Sequence, residues 1–438
     1  MSEAAFGSFL IVFFVLLATA HAFAHLFEKL HQPRVVGEIF AGVLVGPSLL
    51  GYFFPRASAA IFQQLSPATG TNTSNGDLLG FIYWLGLLLL MFASGAETQH
   101  LFSKHDQRQI GWLAAVGTGL PFVLVILASP LLPLNSLMGQ ANQPTALLLV
   151  IGIAVSVTSI PVISRIFFDL KILHTRFARL VLGVAVIEDT VLWAVLAVAT
   201  ALAASAVLPQ REIIKHIAST TLFFAIGLTA APALFRRLSS ARWNFLARSS
   251  PLGYIILVLF TFCTLAGRFE VSLVFAAFLA GFAVPSDGSF TQSLDTLKRF
   301  SFATFVPVYF AVVGFKLDLA KSFSFSMLAL FLVGACAVKL ACVSTGARLA
   351  GFRGLDITNL AVATNARGGP GIVLASVAFD AGIVNAAGYT TLVLVAILTS
   401  QAAGAWLEYV LRKGWPLLSG ADFQQNPQEA REPQATTD

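Results

Sequence analysis

Residues 361–379 read AVATNARGGPGIVLASVAF, an apolar stretch long enough for a membrane helix but interrupted at its centre. Gly368, Gly369, Pro370 and Gly371 stand in a row. Glycine costs a helix about 1 kcal/mol and proline about 3 kcal/mol, so the run predicts an unwound segment. Residues 149–167, LVIGIAVSVTSIPVISRIF, carry a second interruption. There Pro161 lacks an amide hydrogen, and Ser156, Thr158 and Ser159 compete with the helix for backbone hydrogen bonds.

The rest of the chain sets these two stretches in a membrane. Of 438 residues, 57% are hydrophobic and 11% charged, and the mean hydropathy is +0.82. A soluble domain carries about 25% charged residues, so the composition points to an all-α polytopic membrane protein. Apolar segments of spanning length recur about thirteen times, from one centred near Val15 to one near Ala396. The two broken segments are the fifth and the twelfth. With the seventh (about 212–236) as a linker, repeat one covers about 4–208 and repeat two about 250–413. The breaks then occupy the fifth place of each six-helix repeat. Seven crossings between repeat starts invert the second copy, the pattern of a transporter with a midplane site between inverted repeats.

Orientation comes from the basic residues. Of the 27 Lys and Arg, 19 fall in loops after odd-numbered segments, including the C-terminus. The positive-inside rule puts the N-terminus outside and the C-terminus in the cytoplasm. The same asymmetry accounts for the net charge of +6 without nucleic acid. The first segment is preceded by MSEAAFGS, which has no basic residue, and reads as an uncleaved span. The long loop between segments two and three contains an Asn72 sequon. Residues 414–438 read as a short, polar, disordered cytoplasmic tail. Cys263, Cys336 and Cys342 form no C-x-x-C, so neither a disulfide framework nor a zinc site is expected.

The sixth segment, VLGVAVIEDTVLWAV (181–195), places Glu188 and Asp189 side by side in apolar surroundings. On a helix they project about 100° apart, so the two acids meet different neighbours. An unpaired charge at mid-bilayer costs at least ~2.5 kcal/mol, and Lys339 in segment eleven is the natural partner for Glu188. One lysine cannot neutralise two acids. The surplus acid, Asp189, must be protonated, hold a cation, or alternate between the two. That is the chemistry of proton–cation exchange. Thr158, Ser159 and Asn365 are candidate oxygen ligands for a hard cation. Arg367 is a structural charge whose partner is left open between Glu38 and another acid. His21 and His25 read as packing or headgroup residues, and Glu97 as an interfacial acid.

Six segments in order resemble the monovalent cation:proton antiporter superfamily, above all the antiporter-2 branch of bacterial sodium/proton and potassium/proton exchangers. They are QPRVVGEIFAGVLVGPSLLG (32–51), LGLLLLMFASGAET (85–98), VSVTSIPVISRIFFDL (155–170), VFAAFLAGFAV (274–284), FVPVYFAVVGFKLDL (305–319) and NARGGPGIVLA (365–375). The resemblance spans about 4–413. It implies thirteen helices in a homodimer of the inner membrane, with a core of segments four to six and eleven to thirteen containing two crossing broken helices. The core would move as an elevator against the other segments. It also implies that Asp189 binds Na⁺ or K⁺ and the proton, that Glu188 pairs with Lys339, and that the exchange is electrogenic and needs no cofactor. Electrogenic members carry Asp-Asp where this chain has Glu-Asp. Residues 414–438 are too few for the nucleotide-binding regulatory domain of the glutathione-gated relatives. A sodium-coupled symporter of a small organic anion on the same fold is the alternative. Adjacent acids without a Gly-x-Gly-Asp do not fit an intramembrane protease, and no enzymatic activity is expected.

Overall fold

The structure, a computed structural model, describes residues 3–30, 32–56, 58, 75–100, 106–173, 175–204, 210–242, 244–269, 271–285 and 288–419. Asn72 and residues 420–438 lie outside them. The described chain is helical: α1 (Glu3–Lys29), α2 (Arg34–Val45), α3 (Asn75–His100), α4 (Gln107–Leu127), α5 (Pro144–Ser156), α6 (Ile160–Asp169), α7 (Arg176–Ala204) and α8 (Gln210–Ser240). The second half of the chain forms α9 (Pro251–Arg268), α10 (Leu273–Ala283), α11 (Ser289–Phe315), α12 (Phe325–Leu349), α13 (Leu355–Ala363), α14 (Gly368–Asp380) and α15 (Ala386–Arg412). Among the described residues, ten helices are long and apolar enough to cross a membrane. Large apolar side chains stay exposed on them, among them Phe14, Leu127 and Val333, as expected of surfaces solvated by lipid.

The pair α5–α6 is one apolar stretch interrupted at 157–159, and α13–α14 another interrupted at 364–367. In both, the proline sits in the first turn of the second half-helix, where its missing N–H is no loss. This corrects the expectation for the second break. The Gly-Gly-Pro-Gly run is not the unwound segment but the opening turn of α14, and Gly368 turns the chain into it at φ +38°.

Packing divides the helices into two groups. The helices α1, α2, α3, α9, α10 and α11 pack chiefly on one another, as do α4 to α7 and α12 to α15, while α8 lies against both α7 and α10. The first group is sewn together by reciprocal glycines. A Cβ on Gly42 would lie 1.8 Å from the Ala311 carbonyl oxygen, and one on Gly314 would lie 1.9 Å from that of Ile39. The crossing of α3 and α10 repeats this: Gly95 meets the Phe278 carbonyl at 1.9 Å, and Gly281 meets that of Phe92 at 2.0 Å. In the second group, the loop before α5 and the turn after α14 are tied by Gly139 N–H to Ile383 O (2.9 Å) and Ala141 N–H to Gly382 O (2.9 Å).

The chain beyond 413 does not leave the molecule at once. Leu417 and Leu418 are buried, Asn359 donates to Leu417 O (3.1 Å), and Asp356 accepts from both the N–H and the hydroxyl of Ser419 (2.9 Å each). The tail read as disordered from residue 414 is therefore docked as far as Ser419. Two buried leucines, Leu417 and Leu418, supply the anchor.

Candidate functional site

The site is assembled where the two breaks meet. Thr158 donates its hydroxyl to Thr364 O, and the Ser159 N–H donates to Ala366 O at 2.6 Å. Each interruption thus satisfies backbone groups that the other has lost from its helix. The Ser159 hydroxyl accepts from Val162 N–H (3.3 Å) and caps the start of α6. Gly368 lies against this cap: a Cβ there would be 2.4 Å from Val162 Cγ2 and 2.8 Å from Ser159 Oγ.

The end of α5 leaves carbonyl oxygens unpaired, and two cations cover them. Arg367 Nε donates to Ala154 O (2.7 Å) and its Nη2 to Val155 O and Ala335 O (3.2 Å each). Lys339 Nζ donates to Ser156 O. Positive charge at a helix C-terminus is also favoured by the helix dipole. The expected acid partner for Arg367 is therefore replaced by carbonyls, and Glu38 is buried on α2 in the other group. A broken helix exposes acceptors that no residue letter announces.

Lys339 joins this cluster to the acids. Its Nζ lies 2.8 Å from Glu188 Oε1, with both side chains 0% exposed. A buried pair of this kind needs further hydrogen bonds to offset the desolvation of its charges. Ser156 O serves the lysine, and a hydroxyl on α4 serves the glutamate: Thr118 donates to the same Glu188 Oε1. Sequence reasoning did not single out Thr118. Its signal was a lone hydroxyl within GTG in the middle of an apolar helix.

Asp189 differs in kind. It is 1% exposed, and neither carboxylate oxygen has a hydrogen-bond partner among the described residues. Asn365 donates to Cys336 Sγ (3.2 Å), and its Oδ1 is likewise buried without a donor among them. Thr158 and Ser159 are engaged with the backbone, although their oxygens retain lone pairs. His21 donates from Nε2 to Ala303 O (2.9 Å), and Glu97 pairs with Lys298 across α3 and α11 (3.2 Å). A second charged cluster, not foreseen, lies away from the breaks. Asp380 at the end of α14 accepts from Lys316 Nζ (2.7 Å) and from the Tyr83 hydroxyl (2.7 Å).

The chain is 27% identical over 409 residues to Cation/H(+) antiporter 20 of Arabidopsis thaliana, covering 88% of this chain and 46% of that protein. It is 27% identical to the Na(+)/H(+) antiporter NhaS4 of Synechocystis, covering 88% of this chain and 93% of the relative. It is 25% identical to the Na(+)/H(+)-K(+) antiporter GerN of Bacillus cereus, covering 92% and 96%. The chain thus spans about half the length of the plant relatives it matches and nearly all of these two bacterial ones. The sodium proton antiporter MjNhaP1 of Methanocaldococcus jannaschii shares the fold, with a TM-score of 0.58 at 15% identity over 94% of this chain and 98% of that one. The family model for the transmembrane sodium/hydrogen exchanger matches residues 10–413, and the chain belongs to that family.

Proposed function

We propose that this protein exchanges Na⁺ or K⁺ for H⁺, with Asp189 as the group that holds either the cation or the proton. One observation carries the reading: beside a Glu188 whose charge is met by Lys339, Asp189 is buried with no donor on either oxygen among the described residues. A bare carboxylate in that position is too costly to persist, so it takes up a proton or a cation. Na⁺ and K⁺ are hard and oxygen-seeking, and Asp189 with Asn365 Oδ1 and the hydroxyls of Thr158 and Ser159 offers oxygen. Relatives named as Na(+)/H(+) and K(+)/H(+) antiporters support the substrate class.

In this scheme the broken pairs α5–α6 and α13–α14 each count as one crossing, giving thirteen with the ten long helices and α10. The reciprocal glycines favour inverted repeats, because exchanging the halves carries the α2–α11 crossing onto α10–α3. The group containing the breaks slides as an elevator against the other, which forms the dimer. The N-terminus lies outside and the C-terminus in the cytoplasm of the inner membrane. Exchange of two protons per cation makes the cycle electrogenic, and no cofactor enters it. Cation-induced collapse of a pH gradient in proteoliposomes is the test, and Asp189→Asn is expected to abolish it for Na⁺, K⁺ and Li⁺ alike. Retained exchange in that variant would refute the assignment. A potential-sensitive dye that stays silent during active exchange would reject electrogenicity alone.

A further inference from the structure

We infer that Thr118 is a positioning residue for Glu188, and that the glutamate in Glu-Asp is the arm that reaches it. The helix α4 is regular over Gln107–Ala114 and Leu120–Leu127 but makes one π-turn, Ala115–Gly119, between them. An extra residue in a turn rotates the succeeding turns and re-aims their side chains, and such turns cluster at functional sites. Here it carries Thr118, which is 8% exposed and donates to Glu188 Oε1.

The turn is held by the helix that bears Lys339. A Cβ on Gly117 would lie 3.0 Å from Val343 Cγ2, and one on Gly346 would lie 3.1 Å from Trp112 O, so α4 and α12 meet closely within the turn and just before it. Glu188 Oε1 therefore accepts from two other helices, from Thr118 on α4 and from Lys339 on α12, while Oε2 has no partner among the described residues. A cavity of about 440 Å³ adjoins this wall, and among the described residues Thr118 and Glu188 are the only polar side chains lining it. If the threonine hydroxyl is removed, no other lining side chain replaces it. An aspartate, one methylene shorter, cannot keep both donors with the same backbone.

The position of the Glu188 charge sets the field at Asp189, one residue along the helix. Thr118 thereby tunes the competition between proton and cation without touching either. The inference rests on the proposed role of the two acids, and the test separates them. Exchange is measured against pH in proteoliposomes of the full chain for wild type, Thr118→Val, Thr118→Ser, Glu188→Asp, the Glu188→Asp/Thr118→Val double variant and Asp189→Asn. Thr118→Val is expected to move the midpoint by about half a pH unit or more, Thr118→Ser to track wild type, and Thr118→Val to add nothing once residue 188 is aspartate. Should the double variant be inactive, the valine–serine contrast decides, with Thr118→Ala repeating the hydroxyl loss at smaller volume. A valine profile that superimposes on wild type, a serine variant as displaced as valine, or an equal shift in the aspartate background overturns the inference. If Asp189→Asn is dead while Thr118→Val is silent, only the role of Thr118 fails. If Asp189→Asn still exchanges, both readings fail.

Discussion

The acids at 188 and 189 share a helix turn and a membrane depth, yet they pose opposite energetic problems. Glu188 is partnered at Oε1: its charge is met there by Lys339 at 2.8 Å, Thr118 donates to the same oxygen, and Ser156 O accepts from the lysine. Removing one member of a buried pair strands the other, at about 3–5 kcal/mol. Lys339→Ala is therefore expected to lower the detergent melting temperature sharply, and Glu188→Gln in the same chain to restore most of the loss. If the double variant melts as low as the single one, the pair is not the source of the cost. Asp189 is unsatisfied, and its ionised form costs at least ~2.5 kcal/mol at mid-bilayer. Asp189→Asn is thus expected to keep or raise the melting temperature while it stops exchange. A residue whose removal harms function and helps stability is held for function, and a melting curve below wild type would count against that view of Asp189.

At the scale of elements, the two breaks depend on a few backbone positions that composition alone does not rank. Gly368 and Gly369 are adjacent and chemically identical, but Gly368 has φ +38° with Val162 Cγ2 2.4 Å from its would-be Cβ, whereas Gly369 has open space. Gly368→Ala is expected to cost about 1–3 kcal/mol from the backbone alone, plus the clash, and to impair exchange. Gly369→Ala is expected to be neutral or to gain up to ~1 kcal/mol of helix propensity. Equal behaviour of the two in melting and transport would remove Gly368 from the design of the crossing. The existence of both breaks is legible in the sequence because proline and glycine act locally. The register of the second is not, because a proline in a first turn and a proline in an unwound segment look alike in sequence. Lys339 and Glu188 are legible as two intramembrane charges of opposite sign. The partners of Arg367 are not, because they are carbonyls freed by a break, and Thr118 is marked only by its lone hydroxyl within GTG, because the sequence does not show that a π-turn aims it at Glu188.

For the whole molecule, the division into two helical groups matters most where charge crosses between them. Lys316 at the end of α11 and Tyr83 on α3 belong to one group, and Asp380 at the end of α14 to the other. Lys316 also stands 4.0 Å from the centre of the Tyr83 ring, so the three residues form one cluster. Asp380 and the Tyr83 neighbour Trp84 line a crevice of about 320 Å³ where the ends of α7 and α14 face the start of α10. The lysine and aspartate side chains are 28% and 21% exposed, so solvent screening limits the pair to roughly 1 kcal/mol. The cation–π contact adds about 0.5–1 kcal/mol. A total of about 1–2 kcal/mol corresponds to a factor of about 5–30 in a two-state population. If the groups slide past each other during exchange, this contact must break once per cycle and holds the molecule in the arrangement seen here. Asp380→Asn and Lys316→Gln are then expected to change the apparent cation affinity by several-fold in the same direction, with little loss of melting temperature. Combining them should add little, because both remove one contact. If each variant leaves affinity and turnover unchanged and only lowers the melting temperature, the cluster is a fixed brace and the two groups do not part at this place.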